Sequence, residues 1–204
     1  MGKLTLTTFV TLDGVMQAPG GPQEDPSEGF TYGGWQVPLL DDEGGACVTE
    51  IFDRARAFLL GRRTYEIFAG YWPAHEDPAD PIAHRLNTLP KYVASTTLQD
   101  PAWGPVTVLD GELQAEVTRV KDALDGELQV WGSGQLAQYL LARDLIDEFC
   151  LFVHPVFLGK GRRLFPTGGL PTACDLVASH ITSGGTAVLT YRPSGRATFG
   201  SFPD

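Results

Sequence analysis

The residues best equipped for chemistry in this chain stand at two glycine turns. In FLLGRRTYEIF, Phe58 to Phe68, an apolar run reaches Gly61, then Arg62, Arg63 and Thr64, and then an amphipathic segment. Such a stretch reads as a strand opening into a helix, where unpaired N–H groups and the positive end of the helix dipole are exposed. Two cations there are unfavourable unless an anion joins them. A phosphate held by the N–H groups, the guanidinium groups and the Thr64 hydroxyl resolves the conflict. VWGSGQ repeats the arrangement with Gly132, Ser133, Gly134 and Gln135. Two anion-receptive helix starts on one sheet suit a diphosphate dinucleotide carrying an additional phosphate. Neither turn has the GxGxxG spacing of the Rossmann motif, and each alone also reads as strand-to-helix punctuation.

Proton donors are scarcer. Asp13 precedes Gly14 at the end of the first strand, and Asp41 opens a run with Asp42 and Glu43. Either could supply a proton, yet Asp before Gly is also a turn residue and acids in a helix's first turn offset its dipole. In FLGKGRRLF, 157–165, Lys160, Arg162 and Arg163 suit either a substrate phosphate or a solvated turn; the GxxxxGK[ST] phosphate loop is not there. His75, His84, His154 and His180 fall in no HExxH or paired-cysteine pattern, so no metal is expected, and no GxSxG nucleophile elbow occurs.

The elements that must hold these residues follow from periodicity. LTLTTFVTL, 4–12, alternates as a strand, with Leu4, Leu6, Val10 and Leu12 on one face and Thr5, Thr7, Phe9 and Thr11 on the other. A Gly- and Pro-rich stretch follows, long enough to be a binding loop or lid, from Gln17 to Trp35. A helix is expected over 41–57 with Cys47, Val48, Ile51, Phe52 and Ala55 as its apolar stripe, then a strand AFLLG and a helix through Tyr65, Phe68, Ala69 and Trp72. PAHEDPADP reads as a loop and PIAHRLNTL as a helix starting on proline. KYVAST (91–96) and VTVL (106–109) read as strands, and 112–125 as a helix through Leu113, Val117, Val120 and Leu124. LQVWGSG and QLAQYLLAR form the second strand–turn–helix. A long strand over 146–159 and a final hairpin around Ser183-Gly184-Gly185 close the chain. Strands alternating with helices, then an antiparallel pair, predict one α/β domain over 1–204 with a mixed, mostly parallel sheet, its core about 4–192 and a tail at 193–204.

Composition narrows the partners. Of 204 residues, 43% are hydrophobic and 20% charged, ordinary for a folded protein. Fifteen basic against twenty-five acidic residues give a net charge of −10, which argues against nucleic acid or an anionic membrane surface. No run approaches the roughly 18 apolar residues of a membrane span, and the N-terminus has no signal-peptide pattern. A cytoplasmic protein with a small-molecule substrate is expected, its three cysteines, Cys47, Cys150 and Cys174, being buried thiols.

Taken together, GRRTYE after an apolar strand, KYVAST one strand later, LQVWGSGQLAQYLL, and LIDEFCLFVHPVFLGKGRRLF resemble the dihydrofolate reductase superfold. The nearer resemblance is to the reductase domain of the bifunctional riboflavin-biosynthesis deaminase-reductase, which TTFVTLDGVM also resembles; it spans roughly Leu4 to Arg192. The resemblance implies NADPH as cofactor. Gly61 to Thr64 would hold its 2′-phosphate and part of the diphosphate, Ser95 and Thr96 the adenosine ribose end, and Gly132 to Gln135 the diphosphate from the other side. It implies a cis peptide at Gly132–Ser133 and a homodimer. Leu12 and its neighbours from Val10 to Gly14 would flank the nicotinamide, with Trp35 as its shield or as a loop anchor. Counting back from Gly61 to the acid of dihydrofolate reductases lands on Gly45, and the riboflavin branch's Glu-Gly-Gly is replaced by Trp131-Gly132-Ser133-Gly134. The implied activity is hydride transfer to a small heterocyclic or carbonyl/imine compound; the alternative is a silent NADPH- or pterin-binding protein.

Overall fold

A computed structural model describes residues 2–75, 77, 79–165 and 167–202, so parts of the loops expected over 73–81 and 159–171 and of the C-terminal tail lie outside the described residues. The first strand, β1 (Lys3–Thr11), is followed by the loop and then by α1 (Asp42–Asp53), whose N-terminal N–H groups are met by Asp41: Gly44 N–H donates to its carboxylate at 2.8 Å. Val48, Ile51 and Phe52 form the buried face. The helix ends short of the expected Ala57, because Arg54 N–H turns back to the Ile51 and Phe52 carbonyls and releases Ala55 into β2 (Ala55–Gly61). Then α2 (Arg62–Tyr71) starts with no intervening residue, and α3 (Pro81–Thr88) starts on proline, capped by Asp80.

The strand β3 (Lys91–Ala94) is shorter than KYVAST. The Ser95 hydroxyl accepts from the N–H groups of Thr97 and Leu98, at 3.1 and 2.9 Å, and turns the chain away. There follow β4 (Val106–Leu109), α4 (Leu113–Ala123), β5 (Glu127–Trp131), α5 (Gly134–Leu141) and β6 (Glu148–His154). The long strand expected to 159 stops at His154, where Pro155 has no N–H to continue a ladder. The chain closes with β7 (Thr172–Ile181) and β8 (Ala187–Arg196), an antiparallel pair around the expected turn.

The eight strands of the described residues form one sheet in the order β4-β3-β2-β5-β1-β6-β8-β7, parallel from β4 to β6 and antiparallel in the last two pairings. This is the expected α/β architecture. Helices α1 and α3 pack Ile51, Phe52 and Leu86 against Phe58 and Phe152 on one face, whereas α4 and α5 pack Val117, Val120, Leu136 and Leu140 against Leu6 and Leu128 on the other. Each such fully buried side chain contributes about 1.5–3 kcal/mol, which covers both faces of the central strands. Of the cysteines only Cys150 is buried, its thiol pushed up to about 11 mainly by burial; Cys47 is half-buried and Cys174 exposed on β7, which corrects the expectation of three buried thiols. Among the described residues no helix is long and apolar enough to cross a membrane.

Neighbouring strands β1 and β5, with Thr7 beside Trp131, feed helices on opposite faces: α1 follows β1 and α5 follows β5. A crevice therefore opens beyond their carboxyl ends, where ligands of open α/β sheets bind.

Candidate active site

The two glycine turns meet at that crevice and are laced together. Gly61 N–H donates to Ser133 Oγ at 3.0 Å, and Ser133 N–H donates to Thr64 Oγ1 at 3.2 Å. Gly132 and Ser133 both adopt left-handed backbone conformations, with φ of +57° and +50°. These two residues turn the chain without a cis bond. The expected cis peptide at Gly132–Ser133 is therefore corrected: among the described residues only Gly104–Pro105 is cis. The backbone N–H groups of Arg62, Arg63, Thr64, Gly134 and Gln135 have no backbone acceptor outside the elements among the described residues, as the starts of α2 and α5 require. A Cβ at Gly134 would come within 3.0 Å of Met16 Sδ, so the turn is close-fitted behind its open donors.

These turns line a cleft of about 1850 Å³. A pocket for one small ligand is roughly 300–1,000 Å³, so the space admits a dinucleotide together with a second molecule. Met16 to Asp25 of the loop form its near wall, and the loop is pinned rather than free: Gln17 Nε2 donates to the Asp25 and Ser27 carbonyls, and Arg162 N–H donates to Gln17 Oε1 at 2.9 Å. Lys160 Nζ donates to the Gly29 carbonyl. The basic run 160–163 thus holds the loop down.

Charge along the cleft is balanced. Among the described residues four arginines, Arg62, Arg63, Arg162 and Arg163, line it with four carboxylates, Glu24, Asp25, Glu28 and Glu66. Arg62 pairs with Glu66 at 2.7 Å and donates to Thr97 Oγ1 at 2.7 Å. Arg63 and Arg162 converge on Asp25, whose carboxylate also accepts from the Ser27 hydroxyl at 2.6 Å.

Asp13 and Asp41 are not brought to this cleft. Asp13 accepts from the Thr11 hydroxyl at 2.6 Å and from the N–H groups of Leu158 and Gly159. Burial alone would raise its carboxyl, but these hydrogen bonds outweigh it and hold the group below the ordinary range. Hydrogen bonds from Gly44 N–H, the Thr182 hydroxyl and Gly184 N–H depress Asp41 to about 2. Both are anions that organise backbone, not proton donors. Trp35 is buried, its Nε1 donating to the Gln17 carbonyl at 2.8 Å and its ring edge-on to His154; it anchors the loop from behind. Leu12 is exposed away from the cleft, and beyond Ala94, which lines it, Ser95 and Thr96 turn aside. Gly45 does line it, with nothing within 4 Å of where a Cβ would stand.

Two residues escaped the sequence reading. Asp25 sits in a loop without periodicity, and its only signal was that arginines in so acidic a chain need partners. Gln36 lines the cleft nearly buried, with its Nε2 lacking any hydrogen-bond partner among the described residues; a lone glutamine gives no sequence signal.

Residues 2–189 match the model of the RibD C-terminal domain. The chain belongs to that family. Among relatives of this RibD C-terminal domain protein is the Bacillus subtilis (strain 168) protein YyaP, 25% identical over 199 residues and covering 95% of this chain and 96% of its own. A putative riboflavin biosynthesis protein from Shewanella sp. PV-4 superposes with a TM-score of 0.66 at 19% identity, covering 94% of this chain and 99% of that one. Dihydrofolate reductase from Enterococcus faecalis, complexed with NADP(H) and RAB-propyl, gives 0.58 at 13% identity, with 94% and 96% covered. The RibD C-terminal domain is a reductase family, and the laced turns occupy the crevice of a reductase fold.

Proposed function

We propose that the protein is an NADPH-dependent reductase that reduces a small heterocyclic or carbonyl/imine compound. The observation that carries this reading is the pair of glycine turns, tied by Ser133 and Thr64, whose open N–H groups share one cleft. That donor set fits a phosphorylated dinucleotide: the turn at Gly61–Thr64 would hold the additional phosphate, with Arg62 and Arg63 exchanging Glu66 and Asp25 for phosphate oxygens, and Gly132–Gln135 the diphosphate. When bound, the reduced nicotinamide supplies a hydride. The chain's own residues orient both reactants and shield them from water, since the pinned loop covers one side of the cleft. Calorimetric titration tests the reading: NADPH should bind well above NADH, and an absence of heat with NADPH would end it.

A second reading, a silent NADPH- or pterin-binding protein, is favoured by one observation: no carboxyl stands at Gly45, and Asp13 and Asp41 are held ionised elsewhere. NADPH binding without its consumption on a panel of pterins, pyrimidines, aldehydes and quinones would select it. We further infer a cytoplasmic homodimer. Its pairing surface would be the edge strand β7, which exposes Leu176, Val177 and Ile181; light scattering should return twice the chain mass.

A further inference from the structure

We propose that Asp25 and Arg63 form a latch between the two walls of the cleft, and that a phosphate arriving at the start of α2 opens it by taking Arg63. This is a regulation of the site proposed above and rests on a phosphorylated ligand entering there. The loop is fastened to its two neighbours in different ways. On its own wall it is tied to the basic turn after β6 through backbone groups. Met16 N–H donates to the Arg162 carbonyl at 2.9 Å, and Lys160 Nζ donates to the Gly29 carbonyl at 2.8 Å. The Arg162 guanidinium adds the Asp25 carboxylate, the Ser27 hydroxyl and Glu28. Towards α2 a single side chain does the joining. Among the described residues, Arg63 makes every hydrogen bond and ion pair between the loop and that helix. It reaches both Asp25 oxygens, at 3.2 and 3.3 Å, and Ser27 Oγ at 3.3 Å.

The two ends of the latch differ in freedom. The Asp25 side chain is 11% exposed and keeps the Ser27 hydroxyl and Arg162 whether or not Arg63 is present. The Arg63 side chain is 61% exposed and stands in the first turn of α2, where the helix dipole disfavours a cation. Asp25 is its one carboxylate among the described residues. An ion pair so open to water is weak, and a stronger anion displaces it. A phosphate at Gly61–Thr64 is that anion: it carries about two negative charges against one, and it also takes the backbone N–H groups at the start of α2. Arg63 then turns from the loop to the phosphate, while Arg162 retains Asp25. Repulsion between phosphate and Asp25 holds the latch apart, and the loop loses its polar tie to α2 while the ligand is bound.

Hydrogen exchange of the amides between 18 and 29, followed by mass spectrometry on the full chain, tests the latch first without any ligand. Asp25→Asn and Arg63→Gln should each speed loop exchange about two- to fivefold, and the double variant should be no faster than Asp25→Asn, because both remove the same link. Unaltered exchange in β1 and β5 shows that the variants are folded. NADPH or inorganic pyrophosphate, added at constant ionic strength, should then speed loop exchange of the unaltered chain by a similar factor and leave Asp25→Asn unchanged. Additive effects of the two substitutions overturn the proposal. So does an unchanged or slowed loop when either anion binds, or binding of neither. Pyrophosphate that binds and frees the loop while NADPH gives no heat refutes the coenzyme reading and leaves the latch standing.

Discussion

The two halves of the cleft recognise by opposite means. Around the glycine turns, arginines from α2 and from residues 162–163 and carboxylates of the loop accompany fixed backbone donors, so charge is read by charge and by dipoles that need not move. Beyond Trp131, aromatic and aliphatic side chains, Phe52, Phe68, Trp72 and Leu86 among them, line the cleft, and shape does most of the selecting. A single cavity can thus hold an anionic reagent and an uncharged one side by side without either site attracting the other's ligand. Acceptor specificity can change on the apolar walls while the charged turns stay as they are.

The largest expected effect strikes the charged half. Charge-assisted hydrogen bonds contribute about 1.5–3 kcal/mol each, so Arg62→Ala with Arg63→Ala should weaken NADPH roughly ten- to several-hundred-fold and barely touch NADH. Titration of both nucleotides checks this, and equal losses would erase the distinction between the halves. Next, Gly45→Asp places a carboxylate on the apolar side, where a Cβ meets nothing. It should weaken binding of an uncharged aromatic probe, naphthalene, about tenfold with NADPH affinity unchanged, both measured by calorimetric titration. Asp25→Asn frees Arg63 and Arg162 from their shared carboxylate. NADPH should then bind about two- to fivefold more tightly at low salt, the gain disappearing near 1 M salt.

A separate effect, on stability and not on binding, lies beneath the loop. His154 is fully buried among Phe9, Trp35 and Thr186, and burial pushes it down to about 4, with the Asp41 charge opposing. The unfolded chain titrates near 6.5 and so binds more protons between those values. Its contribution is complete above about pH 6.5 and is lost as pH falls toward 4. Melting temperatures across that range should fall with acidity, and His154→Leu should flatten that component of the slope.

The sequence was a better guide to the charged half than to the apolar one. Gly61–Thr64 and Gly132–Gln135 could be read because they are contiguous and lie where strand periodicity changes to helical, and the sheet brings them together as that pattern requires. Alternating residues of 4–11 and the 3.6-residue stripes of α1 and α4 announced the core for the same local reason. The ends of β3 and β6 were misread because a serine hydroxyl and a proline ring decide them, against a continuing β-like composition. Asp13 and Asp41 looked like acids available for chemistry because a sequence does not show their acceptor bonds to Gly159 and Gly184, 146 and 143 residues away. The apolar half is assembled from α1, α2, α3 and β5, and each of its side chains would be ordinary core elsewhere.

The stitch between Ser133 and the turn at Gly61 has a consequence for timing. Residues 61 and 133 are 72 apart, so neither turn is set until β2 has found β5. Once they are joined, the gripping surface stands ready before any nucleotide arrives, and association spends little on ordering the backbone. Breaking the stitch with Ser133→Ala should slow capture and hasten escape alike, as jaws lose their pin.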